Sequence, residues 1–181
     1  MGREEAIRIR LIVPYVSGGL RDGVYNAASQ SGYAVELHDV SGSDSNYWHL
    51  LSDLWRRGES FVLIEQDILV KRETVAGFDE CRNVYCSAHY PYVGGMSTGL
   101  GCTRFRQELL REHPDVLTLV GEMEDNAHSP RHWCILDANL RTVLGGLGVT
   151  HCGAHGQVEH LSDHLPAHAP CRRHFERTEN V

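Results

Sequence analysis

The sequence predicts an α/β fold: a mostly parallel sheet flanked by helices, in a single compact domain. Short apolar runs alternate with segments of helical spacing from Ala6 to Val70, in the order β-α-β-α-β. Parallel neighbours need a long crossover, so that order places helices on the faces of the sheet. The chain of 181 residues, 41% hydrophobic and 23% charged, can bury one sizeable core but is short for two.

Each element has its own reason. "AIRIRLIVPYV" alternates and then turns wholly apolar, as a strand entering a covered sheet does. "SGGLRDGVYNAASQSGY" has a Gly-rich entry and sets Leu20, Val24, Ala27 and Ala28 at helical spacing. "AVELHDV" alternates again and reads as a second strand. "SGSDSNYWHLLSDLWRRG" opens on Ser/Asp capping residues, carries Trp48, Leu51 and Trp55 on one face, and stops at Gly58. "FVLIEQDILV" is the third strand. Beyond it "RETVAGFDECRN" reads as a helix, "VYCSAHYPYV" as a strand with a turn at Pro91, and "GGMSTGLGCT" as a Gly-rich loop. "RFRQELLREHPDVL" reads as one helix and "GEMEDNAHSPRH" as an exposed loop. "WCILDANLRTVLGGLG" is a helix through Leu136, Leu140 and Leu144 that ends at its glycines. Residues 1–160 are assigned to the domain and 161–181 to a His-rich tail.

A formal net charge of −7 gives no general attraction to nucleic acid or acidic membranes. The N-terminus does not read as a signal peptide and no apolar run reaches spanning length, so no membrane partner is expected. A cytoplasmic setting, the host cytoplasm if the protein is viral, follows as the expectation, with its six cysteines reduced and no CxxC pair among them.

Within the third strand, Glu65-Gln66-Asp67 interrupts an apolar run with two acids. A buried carboxylate without a partner costs several kcal/mol, on the order of a whole hydrophobic side chain, so such a chain normally supplies a cation or donors. Residues two apart on a strand share a side, which lets Glu65 and Asp67 converge on one ligand. A hard divalent cation, Mg²⁺ or Mn²⁺, would resolve the charge and could hold a diphosphate. The plainer reading is a strand that ends at Ile64, its acids solvated in a loop. An isolated acid-x-acid triplet is a weak signal.

The order of motifs adds to it. "LIVPYV", "ELHDVSGSDS", "LIEQDI", "TGLGCTRFRQELL", "WCILDANLRTVLGGLG" and "THCGAHGQVEH" together resemble the GT-A family of nucleotide-sugar glycosyltransferases, over Ile7 to His160. The resemblance implies a GT-A-like (Rossmann-like) fold and a metal-dependent transfer of a sugar from a nucleotide-sugar, a UDP-sugar, to an acceptor hydroxyl. It implies that Asp67 coordinates the metal and that Glu65, in the place of the first Asp of the DxD signature, reaches the ribose or a metal-bound water. It further implies that Asp39 meets the nucleotide base with Pro14 and Tyr15 lining its pocket, and that Asp137 is the general base. Arg104 is carried as a residue near the phosphates or as an ordinary helix charge. One of His151, His155 or His160 completes the metal site, with His155 and His160 favoured; His164, His168 and His174 read as surface residues.

Plainer roles stand beside these. Asp137 can be a first-turn acid favoured by the helix dipole, and Asp39 can cap a turn. Trp48 and Trp55 read as core, whereas Trp133, with Tyr92, is a candidate stacking platform. The compact size resembles small phage glycosyltransferases, some of which act on 5-hydroxymethylpyrimidines in DNA. That resemblance implies modified DNA as an acceptor, with Arg104, Arg106, Arg111, Arg131, Arg141, Arg172 and Arg173 as a local basic surface. The alternatives are a non-catalytic zinc-binding or nucleic-acid-binding module built on the His/Cys tail, and a Mg-dependent nucleotidyltransferase.

Overall fold

The structure, a computed structural model, describes residues 9–21, 23–92, 95–124 and 129–161. The expected first half is present in order: β1 (Arg10–Tyr15), α1 (Val24–Gln30), β2 (Ala34–Asp39), α2 (Asn46–Arg57) and β3 (Phe61–Ile64). β1 pairs in parallel with β2 on one side and β3 on the other. α2 ends where Gly58 adopts φ 65°, a left-handed conformation that a side chain would resist.

The second half holds β4 (Ile68–Leu69), α3 (Arg72–Glu80), β5 (Tyr85–Ser87), β6 (Tyr90–Tyr92), β7 (Gly95–Ser97) and β8 (Cys102–Phe105). It continues with α4 (Gln107–Glu112), α5 (Val116–Gly121), α6 (Trp133–Gly146), β9 (His151–Cys152) and β10 (Glu159–His160). Six strands form the central sheet in the order β2-β1-β3-β8-β5-β9. Only β8 runs against its neighbours, so the sheet is mostly parallel, as predicted.

Both faces are covered, and β3 shows why its sequence is apolar throughout. Phe61 and Leu63 face one cluster, with Tyr47, Leu51, Leu54 and Trp55 of α2, residues of α4 and α5, and Leu136, Leu140 and Leu144 of α6. Val62 and Ile64 face the other, with Val24 and Ala28 of α1 and Val75 and Phe78 of α3. Trp55 is buried and donates its indole N–H to the His113 carbonyl at 2.9 Å, and Trp48 donates to Leu117 at 3.0 Å, which bears out their reading as core.

Three local expectations are corrected. The single helix over 104–117 is a strand followed by two short helices, because Pro114 cannot continue α4 and the alternating Cys102–Phe105 pairs with both β3 and β5. The strand with a turn at Pro91 is instead β5 and the separate hairpin β6–β7, with Pro91 inside β6. The third strand ends at Ile64, but its acids are not solvated: Glu65 is half-buried and Asp67 buried. The tail beyond Leu161, with His164, His168, His174, Arg172 and Arg173, lies outside the described residues, as does the side chain of Tyr92.

Candidate active site at the end of β3

Where β3 ends, the chain turns sharply. The Glu65 amide donates to Gly101 at 2.9 Å, and the Ile68 amide donates back to the Glu65 carbonyl at 3.0 Å. Glu65 and Asp67 are therefore brought to one place by a turn, not by the pleat of a strand. Gln66, between them, ties in the loop after β1: its Oε1 accepts from the Val16 amide at 2.7 Å and its carbonyl accepts from the Arg21 amide at 2.9 Å.

β4 then pairs antiparallel with β10, with His160 opposite Ile68, and the Leu161 amide donates to the Asp67 carbonyl at 2.7 Å. This small sheet sets His160 Nε2 at 3.2 Å from Asp67 Oδ2. The other ring nitrogen, Nδ1, donates to the Pro91 carbonyl at 2.9 Å. A carbonyl only accepts, so Nδ1 carries a hydrogen and the neutral ring presents the Nε2 lone pair to the Asp67 carboxylate. Two acceptors facing each other need a cation between them, either a proton or a metal. An octahedral ion with ligands at 2.0–2.1 Å separates adjacent donor atoms by roughly 3 Å, close to the spacing seen. The carbonyl that fixes the tautomer is the usual second partner of a metal-ligating histidine. The oxygen-plus-imidazole set thus fits a hard divalent cation.

The neighbouring acids are under strain. Burial pushes the Glu65 carboxyl up to about 8, and the negative charges of Asp67 and Asp137 push the same way, while a hydrogen bond from Tyr47 opposes. Tyr47 Oη donates to Glu65 Oε1 at 3.2 Å. Burial also raises Asp137, against hydrogen bonds from the backbone and the charge of Arg141. His160 is raised in turn, first by its hydrogen bond to Asp67. Three carboxyls share this corner, and a dication would relieve all of them.

The Gly-rich loop makes room for this cluster. A Cβ on Gly99 would stand 2.7 Å from both Asp137 Oδ2 and Tyr90 Oη, and one on Gly101 would meet the Tyr90 ring at 2.8 Å. Tyr90 in turn lies 5.4 Å from the His160 ring, centroid to centroid. Tyr47, Tyr90, Gln66 and Gly99 were not singled out from sequence. The glycine run was the one legible signal, since two glycines flanking Leu100 suggest close approach rather than a simple turn.

The structure sets Tyr15 opposite Asp39 in the β1–β2 register, at the carboxyl ends of both strands, with Pro14 buried beside them. Asp39 Oδ1 accepts from the Ser41 amide at 2.8 Å, and hydrogen bonds from Ser41, the side chain first and then the amide, lower the Asp39 pKa. The capping role is thus real, and Asp39 is exposed at the carboxyl end of β2, the end where α/β sheets take ligands.

Three candidate residues are elsewhere. Arg104 is 1% exposed beneath the sheet, where its guanidinium donates to the carbonyls of Phe78, Cys81 and Asn83 and to Cys86 Sγ. Because Cys102–Phe105 is a strand, Arg104 points to the face opposite Phe105, away from solvent. His155 lies with Cys81, Cys86 and Cys152, not with Asp67, because its loop folds back on α3 with the ring 4.8 Å from that of Phe78. His151 donates or accepts at Ser87 Oγ, 3.0 Å away, and takes no part in the Asp67 site.

No family model matches the sequence, and no curated protein matches it. Among solved structures the chain is similar in fold to a glycosyltransferase involved in glycosylation of the major capsid of PBCV-1, at 13% identity and a TM-score of 0.55, over 94% of this chain and 99% of that one. It also matches CMP:2-keto-3-deoxy-manno-octonic acid synthetase complexed with CTP, at 9% identity and a TM-score of 0.49, over 95% of this chain and 99% of that one. The first likeness supports the GT-A-like fold. No helix among the described residues is long and apolar enough to cross a membrane.

Proposed function

We propose that the protein is a metal-dependent glycosyltransferase that moves a sugar from a nucleotide-sugar, a UDP-sugar, to an acceptor hydroxyl. The observation that carries this is the Asp67–His160 pair, two metal-type donors 3.2 Å apart with the histidine tautomer fixed from behind. Asp67 and His160 would hold Mn²⁺ or Mg²⁺. Bound there, the ion supplies Lewis-acid charge for the departing diphosphate.

The residues divide the remaining work. Pro14, Tyr15 and Asp39 line the base pocket. Glu65, held by Tyr47, reaches a ribose hydroxyl. Asp137 accepts the proton of the attacking acceptor hydroxyl in an inverting reaction; its burial raises its basicity, which suits that role. Trp133 stands one helical turn before Asp137 on α6 and is exposed, so an acceptor ring can stack on it beside the base.

The finer proposal for the acceptor is a 5-hydroxymethylpyrimidine in DNA, flipped out onto Trp133. Charge gives it little help: Arg104 is buried, Arg131 lies 4.3 Å above the Trp48 ring, and Arg141 donates to Thr98. The test is incubation with Mn²⁺, a panel of UDP-sugars, and either hydroxymethylcytosine DNA, unmodified DNA or no acceptor. Release of UDP that needs Mn²⁺ and is lost in Asp67→Asn supports glycosyl transfer, and added sugar mass on the modified DNA alone supports that acceptor. Release of pyrophosphate from a nucleoside triphosphate, with no UDP from any donor, would replace it with nucleotidyl transfer.

A further inference from the structure

A second group of ligand-type side chains plays no part in the proposed reaction. Cys81 follows α3, Cys86 lies in β5, Cys152 in β9 and His155 in the loop beyond. Cys86 and Cys152 are direct register partners. One ligand atom from each residue lies within 4.8 Å of all the others. Cys86 Sγ is 3.6 Å from Cys81 Sγ, and Cys152 Sγ is 3.5 Å from His155 Nε2. A tetrahedral zinc with bonds of about 2.3 Å to sulfur and about 2.0 Å to nitrogen separates two sulfurs by roughly 3.8 Å and sulfur from nitrogen by roughly 3.6 Å. The Cys81–Cys86 and Cys152–His155 pairs stand near those separations, and all four ligand atoms lie within 4.8 Å of one another.

Arg104 supplies an independent observation. Its guanidinium is fully buried, and among the described residues no carboxylate pairs with it. Its partners are three carbonyls and Cys86 Sγ, the last at 3.2 Å, and its Nε has no hydrogen-bond partner. A cation buried this way calls for a counter-charge. Three thiolates and a neutral imidazole around a dication carry one negative charge, and Arg104 offsets it.

We propose that Cys81, Cys86, Cys152 and His155 bind a structural Zn²⁺, with Arg104 donating to the thiolate shell and balancing its charge. Thiolate and imidazole select zinc over magnesium or manganese. Four protein ligands close the coordination sphere, which marks a structural rather than a catalytic site. The spacing is Cys-x₄-Cys and Cys-x₂-His, two short arms widely separated in sequence.

The local chemistry agrees. Burial resists ionisation of Cys81, yet hydrogen bonds from Asn83 and the adjacent thiols bring it down to about 7. Burial, then the charge of Arg104, lowers His155. Burial pushes the Cys86 thiol up to about 12 despite Arg104, so metal binding there displaces a proton. A Cys81–Cys86 disulfide, the rival, would leave Cys152 and His155 without purpose and Arg104 without a counter-charge. Zinc here would pin the end of α3 to β5, β9 and the loop that leads to His160.

The experiment uses the full chain, purified reduced and without chelator. Elemental analysis should find one zinc per chain. Replacing it with Co²⁺ should give a sulfur-to-cobalt charge-transfer band and the intense visible bands of a tetrahedral site. Both should persist in Cys171→Ser and Asp67→Asn and be lost or weakened in Cys152→Ser and His155→Ala, with a fall in Tm when zinc is removed. Persistence in Asp67→Asn separates this site from the proposed catalytic one, so either can fail alone. Cobalt titration of the reduced wild-type protein that yields no charge-transfer band would overturn the proposal even if the variants do not fold. So would zinc held without sulfur, or a Cys81–Cys86 disulfide in protein handled under argon.

Discussion

Replacing Glu65 by Gln should flatten the pH dependence of the fold in protein dialysed free of manganese and magnesium. The folded-state pKa of Glu65 is about 8 against an ordinary 4.5. The folded state therefore holds the proton more tightly than the unfolded chain does. The associated stability is complete below the unfolded value and is lost as pH rises through the folded one. At about 1.4 kcal/mol per pKa unit the full loss is on the order of 5 kcal/mol, and about 3 kcal/mol of it falls between roughly pH 6 and pH 9. The groups facing Glu65 are Tyr47, Asp67, Tyr90, Asp137 and His160. The raised His160 and Asp137 lose stability in the same direction, but they do so in both proteins. Tyr47 and Tyr90 are raised and stay neutral in this window. Urea midpoints at matched slopes should show wild type losing about 3 kcal/mol more than Glu65→Gln across that range. Mn²⁺ should restore most of the difference to wild type. Parallel stability curves for the two proteins would show that Glu65 is not held protonated, and the reasoning from its burial would fail.

Other outcomes follow from the same geometry. Asp137→Asn should lower turnover by about 10²–10⁴-fold while leaving Mn²⁺ binding by calorimetry unchanged, as expected for loss of a proton acceptor. Gly99→Ala places a methyl 2.7 Å from Asp137 Oδ2 and Tyr90 Oη, and should cost about 1–3 kcal/mol and displace the base, read as reduced turnover at normal Mn²⁺ affinity. Arg104→Met strips donors from the carbonyls of Phe78, Cys81 and Asn83 and should destabilise the fold by about 3 kcal/mol or more in denaturant. Turnover per folded molecule should stay near wild type at low temperature, since Arg104 does not reach the cleft.

The first half of the fold was legible because β1, β2, α1 and α2 are long enough to show their own period and β3 is an unbroken apolar run. Val62 and Ile64 face one layer, Phe61 and Leu63 the other, and an unbroken apolar run states that directly. The second half resisted reading because its strands are two to four residues long, too short for any period. Cys102–Phe105 merged with the helix after it, and its arginine looked solvated when it is among the most deeply buried side chains. Glu65, Asp67 and Asp137, all named from sequence, lie in one corner of the molecule, but a turn brings the first two together, a two-residue sheet adds His160, and α6 carries Asp137. His160 could be told from His155 only by pairing: β10 carries it to Asp67, while His155 is drawn to three cysteines distant in sequence. No local pattern encodes such long-range company.

Anomalous diffraction from a crystal soaked in Mn²⁺ and UDP bears most directly on the paired donors at the end of β3. A manganese peak is expected within bonding distance of Asp67 Oδ2 and His160 Nε2, with the diphosphate of UDP against it. Ordered UDP with no manganese there, or Asp67 Oδ2 and His160 Nε2 still paired directly with no ion between them, would contradict a metal-dependent reaction at this site.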